Sequence, residues 1–111
     1  MKPVYFVGAG PGDPDLITVK GMRLVEEAEL LIYAGSLVNP VLVSRSRATE
    51  RLDSHGMALA DIVAAMADGV RAGRRVVRLH SGDPSLYGAI VEQIAGLDAL
   101  GIPVEIVPGV S

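Results

Sequence analysis

The stretch Val4-Tyr5-Phe6-Val7-Gly8-Ala9-Gly10-Pro11-Gly12-Asp13-Pro14 decides the fold. Its first four residues are an unbroken apolar run cut off by glycine, the pattern of a strand buried on both faces. After the glycines, Asp13 stands where a helix N-cap is wanted. Pro14 occupies the first helical position, where its missing N–H costs nothing and its φ is already set. Ile17, Leu24, Val25 and Ala28 then recur at helical spacing, with Gly21 on the same face as a point of close approach to a sheet. The stretch predicts a strand, a shaped glycine loop and a helix packed back on the strand.

The same order of elements continues down the chain. Leu30-Leu31-Ile32-Tyr33 predicts a second buried strand, ended by Ala34-Gly35-Ser36. Asn39-Pro40 opens a short helix through Val43, and the more polar Thr49 to Asp53 suits a strand at a sheet edge. Leu59, Ile62, Val63, Met66 and Val70 form the clearest amphipathic stripe, closed by Gly73 at a C-cap. Arg75 to His80 predicts a fourth strand. Ser81-Gly82-Asp83-Pro84 then turns into a helix carrying Ile90, Val91, Ile94 and Leu97, ended by Gly101, and Pro103 to Val107 reads as a fifth, buried strand. Alternating short apolar strands and helices predict an α/β fold: a five-stranded, mostly parallel sheet flanked by helices and wound by right-handed crossovers.

With 111 residues, 50% of them hydrophobic, the chain is long and apolar enough for one packed core, which excludes disorder. Ten Lys+Arg against 13 Asp+Glu, without a basic run, argue against a nucleic-acid partner. The absence of cysteine excludes disulfides, thiolate metal sites and Cys nucleophiles. No stretch approaches the roughly 20 apolar residues of a membrane span, and the first apolar run is too short for a signal peptide, so the expected compartment is the cytoplasm. The sequence stops at Pro108-Gly109-Val110-Ser111, straight after a strand. The expectation is a fragment, a single α/β domain over residues 1–111. One sheet face is then left for a second domain or a partner chain, and self-association follows from that uncovered face.

In a parallel sheet all strand C-termini lie on one edge, so the loops at Gly8–Asp13, Ala34–Ser36, Ser81–Pro84 and Pro108–Ser111 converge there, where α/β sheets bind ligands. The first loop is no dinucleotide fingerprint: its spacing is Gly8-x-Gly10-x-Gly12, Pro11 removes an amide, and no acidic residue ends the second strand. No Gly-Lys-Ser/Thr P-loop exists. What remains is a site of backbone, small residues and the loop aspartates Asp13 and Asp83, suited to an adenosine-like ligand of little negative charge. Either aspartate also makes an ordinary N-cap. His55 and His80 lack metal-ligand spacing and read as structural histidines. Tyr87 stands where packing and ligand contact are equally served, and the methionines read as core filler. A binding module for a nucleoside-like ligand or a partner protein, without catalysis, is the rival reading.

VYFVGAGPGDPDLIT over 4–18, YAGSLVNP over 33–40, RLHSGDPSLYG over 78–88 and PGVS over 108–111 together resemble the tetrapyrrole methylase family, most closely its precorrin-4 C-11 methyltransferases, the cobalt-precorrin-4 branch included. The resemblance implies a homodimeric enzyme that binds S-adenosylmethionine between two domains and methylates a ring carbon of a corrin precursor. It places Pro11, Ser81, Gly82, Asp83 and Leu86 at the methyl donor and assigns no metal ligand and no catalytic residue. Relatives that methylate uroporphyrinogen carry an aspartate after the second-strand tyrosine, proposed as proton acceptor; Ala34 stands there here, which leaves a general base unassigned. The substrate's carboxylates call for Arg or Lys along its trough. Lys20, Arg45 and Arg47 are the available cations, each equally an ordinary surface charge.

Overall fold

The structure, a computed structural model, describes residues 1–9, 17–35, 38–81 and 87–109. The elements run β1 (Val4–Gly8), α1 (Val19–Glu27), β2 (Leu30–Tyr33), α2 (Pro40–Ser44), β3 (Glu50–Asp53), α3 (Leu59–Arg71), β4 (Val76–His80), α4 (Tyr87–Ala99) and β5 (Val104–Val107). The strands form one sheet in the order β3-β2-β4-β1-β5. Every pairing is parallel. The strands without a charge, β1 and β2, together with β4 lie inside the sheet, and the polar Glu-Arg-Leu-Asp of β3 forms an edge, as its composition predicts.

Period-two alternation splits the apolar residues between two cores. Val4, Phe6, Leu30, Ile32 and Val76 pack with Ile62, Val63, Met66, Val70, Ile90 and Leu97 of α3 and α4. Val7, Leu31, Val77, Leu79 and Val107 pack with Leu24, Val25 and Leu42 of α1 and α2. The helices divide by direction of travel: α1 and α2 lie on connections leading toward β3, while α3 and α4 lie on connections leading back toward β5. Right-handed crossovers demand that a reversal of direction be a change of face. Gly21 does let α1 close on the sheet, because a Cβ there would meet Val7 Cγ1 at 3.0 Å.

Four expectations need correction. Helix α1 starts at Val19, and its cap is Thr18, whose side chain accepts from Gly21 N; Asp13 and Pro14 lie outside the described residues. Val91 is 63% exposed, so the buried stripe of α4 excludes it. Strand β5 is not buried on both faces: it is the outer strand beyond β1, with Ile106 53% exposed. Helices cover both faces of the sheet, and the exposed large apolar residues are scattered, with Ile106 on the outer strand among them, instead of spread across one face.

Candidate functional site

The chain leaves β1 through α1 on one face of the sheet and leaves the adjacent β4 through α4 on the other, so the connections after these neighbouring strands part to opposite faces. In an open parallel sheet that divergence opens a crevice beyond the strand ends, where ligands bind. Gly8 and His80 are register partners at the ends of β1 and β4. Ala9 N donates to His80 O at 2.7 Å, continuing the ladder one step past the strands. Gly8 can be nothing larger: a Cβ would stand 2.6 Å from Gly109 N, so the β1 and β5 ends are drawn together backbone to backbone.

The polar groups around this crevice come from several elements. Arg78, on the α3/α4 face of β4, is 4% exposed. Its Nε donates to Gln93 Oε1 at 3.1 Å, across to α4, and its Nη1 donates to Leu79 O at 3.1 Å. Burial lowers its pKa from the ordinary guanidinium range to about 10, partly offset by the negative charge of Asp53. The guanidinium stays charged at neutral pH, and among the described residues no carboxylate forms an ion pair with it. Two residues on, on the same face, His80 is half-buried. Burial first, then the charge of Arg78, lower its pKa below the ordinary 6.5, so the imidazole is neutral at pH 7. On the other side of β2, Asp53 ends β3 and its Oδ1 accepts from Gly35 N at 2.8 Å and His55 N at 2.9 Å, tying the turn after β2 to the turn after β3. Beside it a hollow of about 650 Å³ is walled by Tyr33, Val38, Pro40, Val43, Arg51 and Asp53.

Of the expected ligand contacts, Ser81 directly follows β4 at the crevice and is half-buried. Pro11, Gly82, Asp83 and Leu86 lie outside the described residues, and Tyr87 opens α4. His55 is exposed on the turn after β3. The expected cations are elsewhere. Lys20 pairs with Glu105 at 3.1 Å between α1 and β5. Arg47 is exposed by the end of α1, its N–H on Glu26 O, toward the opposite edge of the sheet. Arg45 is exposed beside Arg23 and Glu26 on the outer side of α1. Arg78, Gln93 and Asp53 were missed by reading the sequence. The signal for Arg78 was available, as a lone cation inside Val76-Val77-Arg78-Leu79; nothing local marked Gln93, whose partner is 15 residues away, or the reach of Asp53 beyond its own turn to Gly35, 18 residues away.

These features define a parallel α/β domain whose candidate ligand site is the carboxyl edge of its sheet. Residues 3–111 match the family model of the Tetrapyrrole (Corrin/Porphyrin) Methylases, and the chain belongs to that family. It is 56% identical over 108 residues to the Precorrin-4 C(11)-methyltransferase of Pseudomonas aeruginosa, covering 97% of this chain and 43% of that protein. It is 53% identical over 111 residues to the Cobalt-precorrin-4 C(11)-methyltransferase of Methanocaldococcus jannaschii, covering 99% and 43%. Among solved structures, a cobalamin biosynthetic enzyme, cobalt precorrin-4 methyltransferase, superposes with a TM-score of 0.91 at 50% identity, over 98% of this chain and 46% of that one. A uroporphyrin-III C-methyl transferase from Thermus thermophilus, complexed with S-adenyl homocysteine, gives 0.82 at 38% identity over 99% and 46%. The chain thus spans less than half the length of these relatives.

Proposed function

We propose that this chain is the N-terminal domain of a two-domain, S-adenosylmethionine-dependent methyltransferase that methylates C-11 of precorrin-4 or its cobalt form in corrin biosynthesis. The carrying observation is identity above 50% along nearly the whole chain to relatives bearing both of those names. That pairing of names supports the shared tetrapyrrole chemistry without preferring the metal-free or the cobalt substrate. The crevice supports the same reading. Its described rim is Gly8, Ala9, Ala34, Gly35 and Ser81 with a neutral imidazole, which suits a nucleoside carrying a positive sulfonium.

In this reading Pro11, Ser81, Gly82, Asp83 and Leu86 hold the methyl donor, and bound there S-adenosylmethionine supplies an electrophilic methyl group. The chain's own contribution is alignment and exclusion of water, since an electron-rich ring carbon needs little more for an in-line displacement. Arg51 lines the hollow beside the crevice and takes the part first considered for Lys20, Arg45 and Arg47, meeting a substrate carboxylate by a charge-assisted hydrogen bond. The enzyme works as a homodimer in the cytoplasm, with the exposed Ile106 of the outer strand as part of the surface that association covers. No described helix is long and apolar enough to cross a membrane. A binding module without catalysis is the weaker reading, because the relatives above are named as methyltransferases.

Calorimetric titration of the full gene product with S-adenosylhomocysteine, followed by a methyl-transfer assay on precorrin-4 and cobalt-precorrin-4, tests this. Micromolar binding and a product heavier by one methylene unit are expected. A protein that binds no S-adenosylhomocysteine sinks the reading. Binding without transfer to either substrate favours the module.

A further inference from the structure

We infer that His80 is the proton acceptor of this site. The inference rests on the methyltransferase reading and adds to it a residue for the one proton that the reaction must dispose of.

His80 is the last residue of β4, paired with Gly8 of β1, at the point where the chain's connections diverge and the crevice opens. Ser81 follows it directly. On its other side, Tyr33 is the register partner of Leu79, so the next residue, Ala34, comes beside His80. The imidazole therefore stands between a residue with no side chain and one with a single methyl, which leaves it partly open to the crevice. Its ring nitrogens have no hydrogen-bond partner among the described residues, whereas the neighbouring Arg78 is tied to Gln93 and Leu79.

Its protonation state fits the task. A proton acceptor must be neutral beforehand. Burial and the fixed charge of Arg78 on the same face both act against an imidazolium. Among the described residues the other elements packed there present no opposing carboxylate: Gly8 comes from β1, Ala34 from β2 and the uncharged Gln93 from α4, while Asp61 and Asp68 of α3 and Glu92 of α4 are exposed. Asp53 acts on Arg78 from beyond β2. A neutral ring is also compatible with a sulfonium nearby, which a cation would repel.

The step balances. The bond from sulfur to methyl breaks with its electron pair left on sulfur, and the methyl forms a bond to the ring carbon. The positive charge lost by sulfur leaves the macrocycle as one proton. The lone pair of the His80 imidazole takes that proton, and the resulting imidazolium returns it to water.

The test uses the full gene product, wild type and His80→Gln, which keeps an amide near the ring's position and cannot take up a proton near neutral pH. The expected result is a loss in kcat of roughly 100-fold or more, the usual contribution of general base catalysis. The tetrapyrrole KM, the S-adenosylhomocysteine affinity and the melting temperature should stay close to wild type. The wild-type kcat should fall on the acid side with a midpoint below 6.5, and that limb should vanish in the variant. Long-range proton–nitrogen NMR on the wild type should show the His80 ring titrating below 6.5. A ring that titrates at or above 6.5 overturns the proposal whether or not the variant folds. So does an active wild type whose His80→Gln variant keeps kcat within threefold or keeps the acid limb. A wild type that neither binds S-adenosylhomocysteine nor transfers a methyl group overturns the function reading and the proposal with it.

Discussion

Toward α1 and α2, β4 presents Val77 and Leu79, both fully buried in an apolar cluster. Toward α3 and α4 it presents Val76 and then Arg78 and His80. The same strand is thus ordinary core on one side and polar on the other, and the polarity is confined to the half that ends at the crevice. A guanidinium at 4% exposure has lost most of its hydration, and apolar residues of similar size are often as stable or more so at such positions. Stability therefore gives no reason for Arg78. Residue type on this strand follows distance to the ligand edge as much as burial.

The largest effect should come from stranding the buried charge. Gln93→Leu removes the acceptor of Arg78 Nε and leaves a buried charged donor without it, at about 3 kcal/mol of unfolding free energy in urea denaturation. Adding Arg78→Met should bring the protein back to within about 1 kcal/mol of wild type, since neither partner is then left unpaired. A double variant as unstable as the single one would show that the polar bridge is itself a net stabiliser and would break the contrast between the faces. On the apolar face, Leu79→Ala should cost about 3 kcal/mol by the cavity it leaves, and the cost should add to that of Gln93→Leu only as far as residues on two faces of one strand are independent.

Gly8→Ala sharpens the comparison at the crevice itself. Backbone must give way where a Cβ would sit 2.6 Å from Gly109 N, so roughly 2 kcal/mol is expected, together with a weaker affinity for S-adenosylhomocysteine. Away from the crevice, Thr18→Ala should cost about 1 kcal/mol through the lost cap of α1. The smallest effect belongs to Lys20→Met: its bridge to Glu105 joins side chains 65% and 42% exposed, and about 0.5 kcal/mol or less is expected, smaller still in salt.

Much of this was legible in the residues. Leu30 to Tyr33 reads as a strand with the bounds it has, because a four-residue apolar run between a charged helix end and a glycine turn has no other use. Helix α3 reads well for a similar reason, its stripe being long and its end marked by Gly73, which adopts a φ of 78°. Asp13 misleads as the cap of α1 because local chemistry makes Asp13 and Thr18 equally good caps, and only the docking of Val25 and Gly21 on the sheet selects where the helix begins. Val91 misleads because apolar spacing on a helix does not say how wide the covering layer is. Of the candidate site, the convergence of the loops and the place of Ser81 could be read from the sequence, while the state of His80 and the tie between Asp53 and Gly35 could not.

The sequence alone determined the alternation of five strands and four helices, the edge on which their loops meet and the family to which its motifs belong, because each rests on neighbours within a few turns or on short runs of residues. Tertiary structure alone decided that β4 inserts between β2 and β1, that Arg78 is buried against Gln93, and that His80 ends beside Gly8 at the mouth of the crevice. Parallel strands pair only through crossovers that pass over intervening elements, so who stands next to whom is settled by the packing of helices on two faces, and a side chain's charge state by the neighbours that packing supplies.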